Sequence, residues 1–520
     1  MSAKEGVQPE SNKRGEQSNS GRSMKFAAPP RILTGIAGLD DILGGGLPQG
    51  HLYLVEGDPG TGKTTLGMQF LLEGVRNKEN VAYVTLSESK QEIIQVAESH
   101  GWSLDGVEIC EVAAREDEIS AEAQYTVFHP SEVEMADTLS YIVQQVDAVN
   151  PQRIVFDSLS EFRLLARDPL KYRRHILGLK RHFAGKNCTV LLLDDGTAEA
   201  SKDGQLQSIA HGVLMLQSLE RDFGIKRRRI EVRKLRGSAY REGYHDYTIQ
   251  AGGLSVYPRL VASEHRPGFE RAVVLSGLRE LDQLFGNGID SGTSSLFMGP
   301  AGCGKSTIAL NYAMEAARRG EKALYFTFDE SIGTLLGRAQ GLKMNLEPLL
   351  ESGLLQIKQV DPAELSPGEF VSEVRHSIEV EKLSVLVIDS INGLMNAMPH
   401  EQFLALQLHE LLTYLAQQGV ATIMTMAQHG FVGKMDSPID VSYLADTVLL
   451  FRYYEFAGEV RQALSVIKKR SGRHERTIRE LKFGDGSFSV GSPLKEFQGV
   501  LTGVPRLGGN LPKVENSAES

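Results

Sequence analysis

Cysteine is scarce in this sequence. Its 520 residues hold three, Cys110, Cys188 and Cys303, an odd number at spacings that match no metal-ligand pattern. That excludes a disulfide framework and a thiolate metal site, and leaves small thiols filling a core in a reducing cytoplasm as the expectation. Long apolar runs are missing too. No stretch reaches the roughly 18 consecutive apolar residues that a membrane span requires, and the opening MSAKEGVQPESNKRGEQSNSGRS lacks the apolar segment of a secretory signal. A cytoplasmic protein with a disordered tail over residues 1–28 is therefore expected. A basic excess is also absent. The net charge of −10 speaks against a dedicated nucleic-acid binder. A local cluster, Lys226, Arg227, Arg228 and Arg229 followed by Arg233, Lys234 and Arg236, keeps that question open.

What is present is enough apolar material for more than one core, with 41% hydrophobic and 23% charged residues. The chain also repeats itself. Residues 34–65 read TGIAGLDDILGGGLPQGHLYLVEGDPGTGKTT and residues 276–307 read SGLRELDQLFGNGIDSGTSSLFMGPAGCGKST, matching without a gap. A repeat of about 240 residues is a whole domain, not the unit of a solenoid. The expected division is a tail over 1–28, one domain over 29–262, a second over 263–495 and a tail over 496–520. Each copy alternates short apolar runs with helical stretches, the pattern of an α/β domain whose mainly parallel sheet carries helices on both faces. Strands are expected at 52–56, 81–86, 153–156 and 189–193, and at 295–298, 323–327, 385–388 and 421–425, with helices starting at Lys63 and Lys305.

Between the first strand and first helix of each copy lies a phosphate-binding loop of the pattern G-x-x-x-x-G-K-[ST]. The first is Gly57, Asp58, Pro59, Gly60, Thr61, Gly62, Lys63 and Thr64, followed by Thr65. The second is Gly299, Pro300, Ala301, Gly302, Cys303, Gly304, Lys305 and Ser306, followed by Thr307. Glycines let backbone N–H groups curl around a β-phosphate, the lysine meets the β- and γ-phosphates, and the Thr or Ser hydroxyl suits Mg²⁺. The helix that follows points its positive end at the anion. ATP and Mg²⁺ are thus the expected ligands. A metal-holding aspartate should end a buried strand beside each loop, and Asp157 and Asp389 stand there, with Thr64 and Ser306 as their partners at the metal. Hydrolysis also needs a carboxylate to orient the attacking group. Glu88 in the first copy, and Asp329 and Glu330 in the second, end the second strand, at the strand carboxyl ends where open α/β sheets bind ligands.

With these residues in place the chain resembles the KaiC family within the RecA and DnaB superfamily of ATPases. The resemblance runs from residue 30 to about 505 and includes Gly35, Gly38, Leu39 and Asp40, the Tyr83–Ser89 segment, Gly101-Trp102, Lys234-Leu235-Arg236-Gly237 and the His474–Glu480 segment. It implies two tandem RecA-like domains, assembly into a homo-hexamer with ATP between subunits, a first ring that hydrolyses ATP and a second that phosphorylates itself across the interface. It makes Arg228, Lys234 and Arg236, and Lys468 and Arg470 in the second domain, candidates for a neighbour's nucleotide. A KaiB-like regulatory protein is the partner it suggests, nucleic acid and membrane being set aside.

The match departs from the family in two places. The family has paired glutamates where this chain has Ser87 and Glu88, and a Ser-Thr phosphorylation pair where it has Ser442 and Tyr443. Ser442 is the first candidate for modification and Tyr443 the second, while Ser437 lies at a further family threonine. The main reading is an ATPase and serine autokinase in a clock, stress or signalling role. The alternatives are a DNA-dependent ATPase of the RadA or DnaB kind and a nucleotide-gated scaffold with little turnover.

Overall fold

The computed structural model describes residues 30–112, 130–166, 168–195, 205–220, 224–265, 268–361, 364–396, 404–428, 442–484, 486–502 and 506–507. The expected tail at 1–28, most of the expected tail beyond 496, and Ser437 lie outside them. Two nine-stranded sheets dominate the chain. In the first, strand Leu52–Gly57 sits between Thr189–Asp195 and Gly212–Leu219, parallel to both. Arg153–Asp157, Val81–Thr85 and Val107–Glu111 continue the parallel part on one side. Arg227–Leu235, Tyr244–Gln250 and Gly253–Tyr257 close the other side as an antiparallel ribbon. The second sheet repeats this order around Ser294–Gly299, with Ala421–Ala427 and Thr447–Phe456 as its parallel neighbours.

The central strands are buried on both faces, which is why they read as unbroken apolar runs: every residue of LYLVEG at Leu52–Gly57 and of VAYVT at Val81–Thr85 is buried. Helix Lys63–Arg76 and helix Lys90–Ser99 cover one face of the first sheet through Leu66, Phe70, Ile93 and Ala97. Helices carrying Ile142, Phe162 and Ile176 cover the other. Two further clusters cover the faces of the second sheet. This is the tandem RecA-like α/β architecture expected from the sequence.

The antiparallel ribbon was not expected, and the reason is charge. Strand Arg227–Leu235 reads RRRIEVRKL, which looks like a solvated basic patch. Arg227 is instead buried in an ion pair with Asp246 at 3.0 Å, and Arg229 lies over the Tyr244 ring at 4.4 Å. The basic cluster is thus partly spent on holding the ribbon together. Asp246 also accepts from the backbone N–H of Gly368 at 2.8 Å, joining the first domain to helix Pro367–Glu381 of the second. Leu260 and Ala262 pack into the second domain's core.

His245, 1% exposed on this ribbon, accepts at Nδ1 from the Arg259 N–H (2.8 Å) and faces the Arg241 carbonyl with Nε2 (3.1 Å), which fixes a neutral tautomer. Burial first, with the Arg241 and Arg259 charges assisting against Asp246, pushes it down to about 4 from 6.5. Between those values the unfolded chain binds the extra proton and the folded chain does not. Stability should therefore fall as pH drops through this window, with a contribution from this residue of at most roughly 1.4 kcal/mol per pH unit. Urea midpoints at pH 7, 6 and 5 should show that slope in the parent, and a shallower one in His245→Gln.

Candidate functional site

Each phosphate loop is set by where its sheet strand ends. Leu52–Gly57 runs into the loop and helix Lys63–Arg76 leaves it, with Gly62 at φ 91° as the residue before the helix; Gly304 does the same at φ 100°. A side chain at Gly62 would meet the movable Cδ1 end of Ile249 at 2.6 Å, so it is the left-handed backbone that calls for glycine there. Lys63 folds back over its loop, donating to the carbonyls of Gly57 at 2.7 Å and Asp58 at 3.1 Å. Lys305 donates to the Pro300 carbonyl at 2.6 Å and lies 3.7 Å from the sulfur of Cys303. Burial raises the Cys303 thiol above its ordinary value despite Lys305, so it is a packing residue and not a nucleophile.

The hydroxyl after each lysine meets the aspartate that ends the neighbouring buried strand. Thr64 Oγ1 donates to Asp157 Oδ2 at 2.6 Å, and Ser306 Oγ donates to Asp389 Oδ1 at 3.0 Å. Tyr83 adds a second donor to Asp157 at 2.6 Å. Tyr325 and Thr425 both donate to Asp389. One hydroxyl and one carboxylate form an all-oxygen pair, which fits Mg²⁺, an ion that keeps much of its water and leans on phosphate oxygens. No group of three or more His, Cys, Asp or Glu side chains able to cage a metal occurs among the described residues.

Beyond the second strand, Thr85 fixes the turn that carries Glu88, donating to its carbonyl at 2.7 Å and accepting from its N–H at 3.0 Å. Ser89 then starts helix Lys90–Ser99 with a reciprocal cap to Glu92. Burial, then the charges of Asp157 and Glu92, push the Glu88 carboxyl above the ordinary glutamate range. Thr327 repeats the turn under Glu330. Asp329 accepts from Ser390 Oγ at 2.5 Å, and Glu330 is ion-paired with Arg338 at 2.7 Å. The structure thus brings loop, hydroxyl and carboxylates together at the same end of each sheet.

The basic candidates are held elsewhere within their own chain. Lys234 donates to the carbonyls of Gln207 and Ala210 at 2.5 and 2.9 Å, and Arg236 to that of Ser208 at 2.8 Å. In the second domain Lys468 donates to the carbonyls of Ser442 and Ala445, both at 2.8 Å, and Arg470 to that of Tyr443 at 2.8 Å. Ser442 is half-buried in this cradle, whereas the Tyr443 side chain is exposed. Gln207 stands in the first domain where Ser442 stands in the second, so only the second copy offers a hydroxyl there. Arg228 is half-buried on its strand, its Nε without a hydrogen-bond partner among the described residues.

Two residues at the site escaped the sequence reading. Asp195 forms an ion pair with Lys63 at 2.8 Å and accepts from Ser160 at 2.9 Å. Burial alone would raise its carboxyl, but Lys63 and Ser160 outweigh that and hold it below the ordinary range. The expected strand stopped at residue 193, whereas the observed one runs on to Asp195, which lies opposite Gly57. Ala427 takes that position opposite Gly299 in the second sheet, so among the described residues Lys305 has no acidic partner of the kind that Lys63 has. The other missed residue is Arg338.

A sequence model of the KaiC ATPase family matches residues 32–261 and again residues 274–495. The chain is 28% identical over 483 residues to the circadian clock oscillator protein KaiC of Picosynechococcus, covering 91% of this chain and 92% of that protein. It is 27% identical over 485 residues to the protein of that name from Acaryochloris marina, covering 91% of each. To that of Synechococcus elongatus it is 26% identical over 500 residues, covering 94% of each. No described helix is long and apolar enough to cross a membrane.

Proposed function

Because the chain belongs to the KaiC family of ATPases, we propose that it binds ATP with Mg²⁺ at both phosphate loops, hydrolyses it at the first, and phosphorylates Ser442 with the second site of a neighbouring subunit in a six-membered ring. The observation that carries this reading is the doubled pairing of loop hydroxyl and strand-end carboxylate, Thr64 with Asp157 and Ser306 with Asp389. These four residues would hold Mg²⁺, which neutralises charge on the phosphate oxygens when bound. Lys63 and Lys305, with the loop N–H groups, bind and orient the phosphates. Glu88 orients water at the first site, its raised proton affinity suiting it to accept a proton.

At the second site Ser442 Oγ attacks the γ-phosphorus, the bond from that phosphorus to the β–γ bridging oxygen breaks, and ADP leaves. The serine proton passes to Asp329 or Glu330. The cradle of Lys468 and Arg470 supports this reading, since it positions the Ser442 backbone while leaving the first domain with Gln207 at that place. Lys234, Arg236 and Arg228 are assigned to the nucleotide of an adjacent subunit, domain limits to 29–262 and 263–495, and regulation to a clock or stress role with a KaiB-like partner.

Incubation with Mg·ATP followed by phosphopeptide mapping tests the reading. Phosphate is expected on Ser442. Mixing Glu330→Gln chains with Ser442→Ala chains should place phosphate on the Glu330→Gln chains if transfer crosses between subunits. A parent that hydrolyses ATP yet stays unmodified would leave the ATPase and remove the kinase. Light scattering with a non-hydrolysed ATP analogue should show about six chains, and a persistent monomer would remove the ring.

A further inference from the structure

Glu330 is engaged by a cation, Arg338, that has no counterpart at the first site among the described residues. Arg338 Nε donates to Oε1 at 3.3 Å and Nη2 donates to Oε2 at 2.7 Å, so both carboxylate oxygens are taken. Its remaining arm, Nη1, donates to Thr307 Oγ1 at 2.9 Å. Thr307 lies in the first turn of helix Lys305–Arg318, immediately after Ser306. The pair is partly open to solvent, with side-chain exposures of 27% and 24%. In the register of the internal repeat, Val96 stands where Arg338 does, Glu88 where Glu330 does and Thr65 where Thr307 does. No cation pairs with Glu88 among the described residues, and Thr65 Oγ1 lies 3.4 Å from His100 Nε2 instead.

We propose that the Arg338–Glu330 pair is a latch on the second site, released when the phosphates of ATP draw the guanidinium away from the carboxylate. Arg338 is thereby a positioning residue that couples nucleotide occupancy to the readiness of Glu330. The proposal rests on the reading that Glu330 orients the attacking group. A carboxylate whose two oxygens both accept from one guanidinium is fixed in that pair's orientation and keeps only its remaining lone pairs for other donors, which restricts how it can orient a hydroxyl. The arm held by Thr307 points the same guanidinium toward the loop. There a phosphate oxygen is a stronger acceptor than a neutral hydroxyl, and arginine favours such planar two-point contacts. Among the described residues the first site has no equivalent, so its carboxylate is not held back in this way when ATP arrives. The two rings would then differ in gating as well as in chemistry.

The test uses full-length chains. In a Lys63→Ala background, ATP affinity of the second site is read with a fluorescent ATP analogue. Glu330→Gln should tighten binding about five-fold by freeing Arg338, and Arg338→Met should weaken it by a similar factor. In the double variant the gain from Glu330→Gln should vanish. A gain that persists with Arg338→Met is plain removal of a negative charge and overturns the latch, as does no gain at all. With Lys63 intact, Arg338→Met should raise the KM for ATP in Ser442 phosphorylation and leave kcat little changed, because bound ATP has already released Glu330. A fall in kcat at an unchanged thermal midpoint would mean that Arg338 serves the transition state, and would also overturn it. If Ser442 is unmodified in the parent and in Arg338→Met alike, the kinase reading falls while the binding arm still decides the latch.

Discussion

Lys305→Ala is expected to reduce Ser442 phosphorylation by about 10²-fold or more, the cost of removing a preorganised charge from a transferring phosphoryl group. The lysine is buried, 7% exposed, and its ammonium is held over the loop by the Pro300 carbonyl. No acidic side chain pairs with it among the described residues, so its charge is available to the phosphates at little cost. Alanine also leaves the Pro300 carbonyl without that donor. Phosphopeptide mapping after a fixed time with Mg·ATP measures the effect. The fold should survive, because the core around helix Lys305–Arg318 is built from Ile308, Leu310 and Tyr312, not from the lysine. Undiminished phosphate on Ser442 would place the kinase activity elsewhere.

Glu88→Gln is expected to cut first-site turnover by about 10²-fold, the low end of what a positioned base contributes, while ATP binding and ring assembly persist. Binding depends on the Gly57–Thr64 loop, which the substitution does not touch. Glutamine keeps the shape and loses the proton acceptor. The substitution should not disturb the turn, since Thr85 bonds only the backbone of residue 88. Turnover measured in a Lys305→Ala background isolates the first site. An unchanged rate there would assign the role to another group, and Asp195, held against Lys63 at 2.8 Å, would be the next to examine.

The parts of the site that were legible are those written in contiguous residues. A loop that wraps phosphate must be glycine-rich, must follow a buried strand and must open a helix, so Gly57–Thr64 and Gly299–Ser306 announce themselves. Asp157 and Asp389 could be found because a charged residue closing an apolar strand is conspicuous. The sheet core was legible for the same reason: strands buried on both faces leave no polar alternation to misread.

What was not legible depends on pairings between distant segments. Asp195 follows Asp194 at the end of an apolar run, and nothing in that stretch says that it faces Lys63. Arg338 looks like a solvent-facing helix residue until the turn at Glu330 folds beneath it. The ribbon strand RRRIEVRKL hides its buried arginine behind its neighbours' charge, since its partner Asp246 lies on the following strand. The roles proposed for Lys234, Arg236, Lys468 and Arg470 would lie at an interface between chains, which one chain does not display. Within one chain they bind the carbonyls of the segments at 207–210 and 442–445.

Two separate ATP sites should operate on one chain. Equilibrium binding of a non-hydrolysed ATP analogue by the parent, Lys63→Ala, Lys305→Ala and the double variant measures this. Each single variant is expected to keep about half of the parent's bound nucleotide, and the double variant none above background. A double variant that binds as much nucleotide as the parent would overturn it.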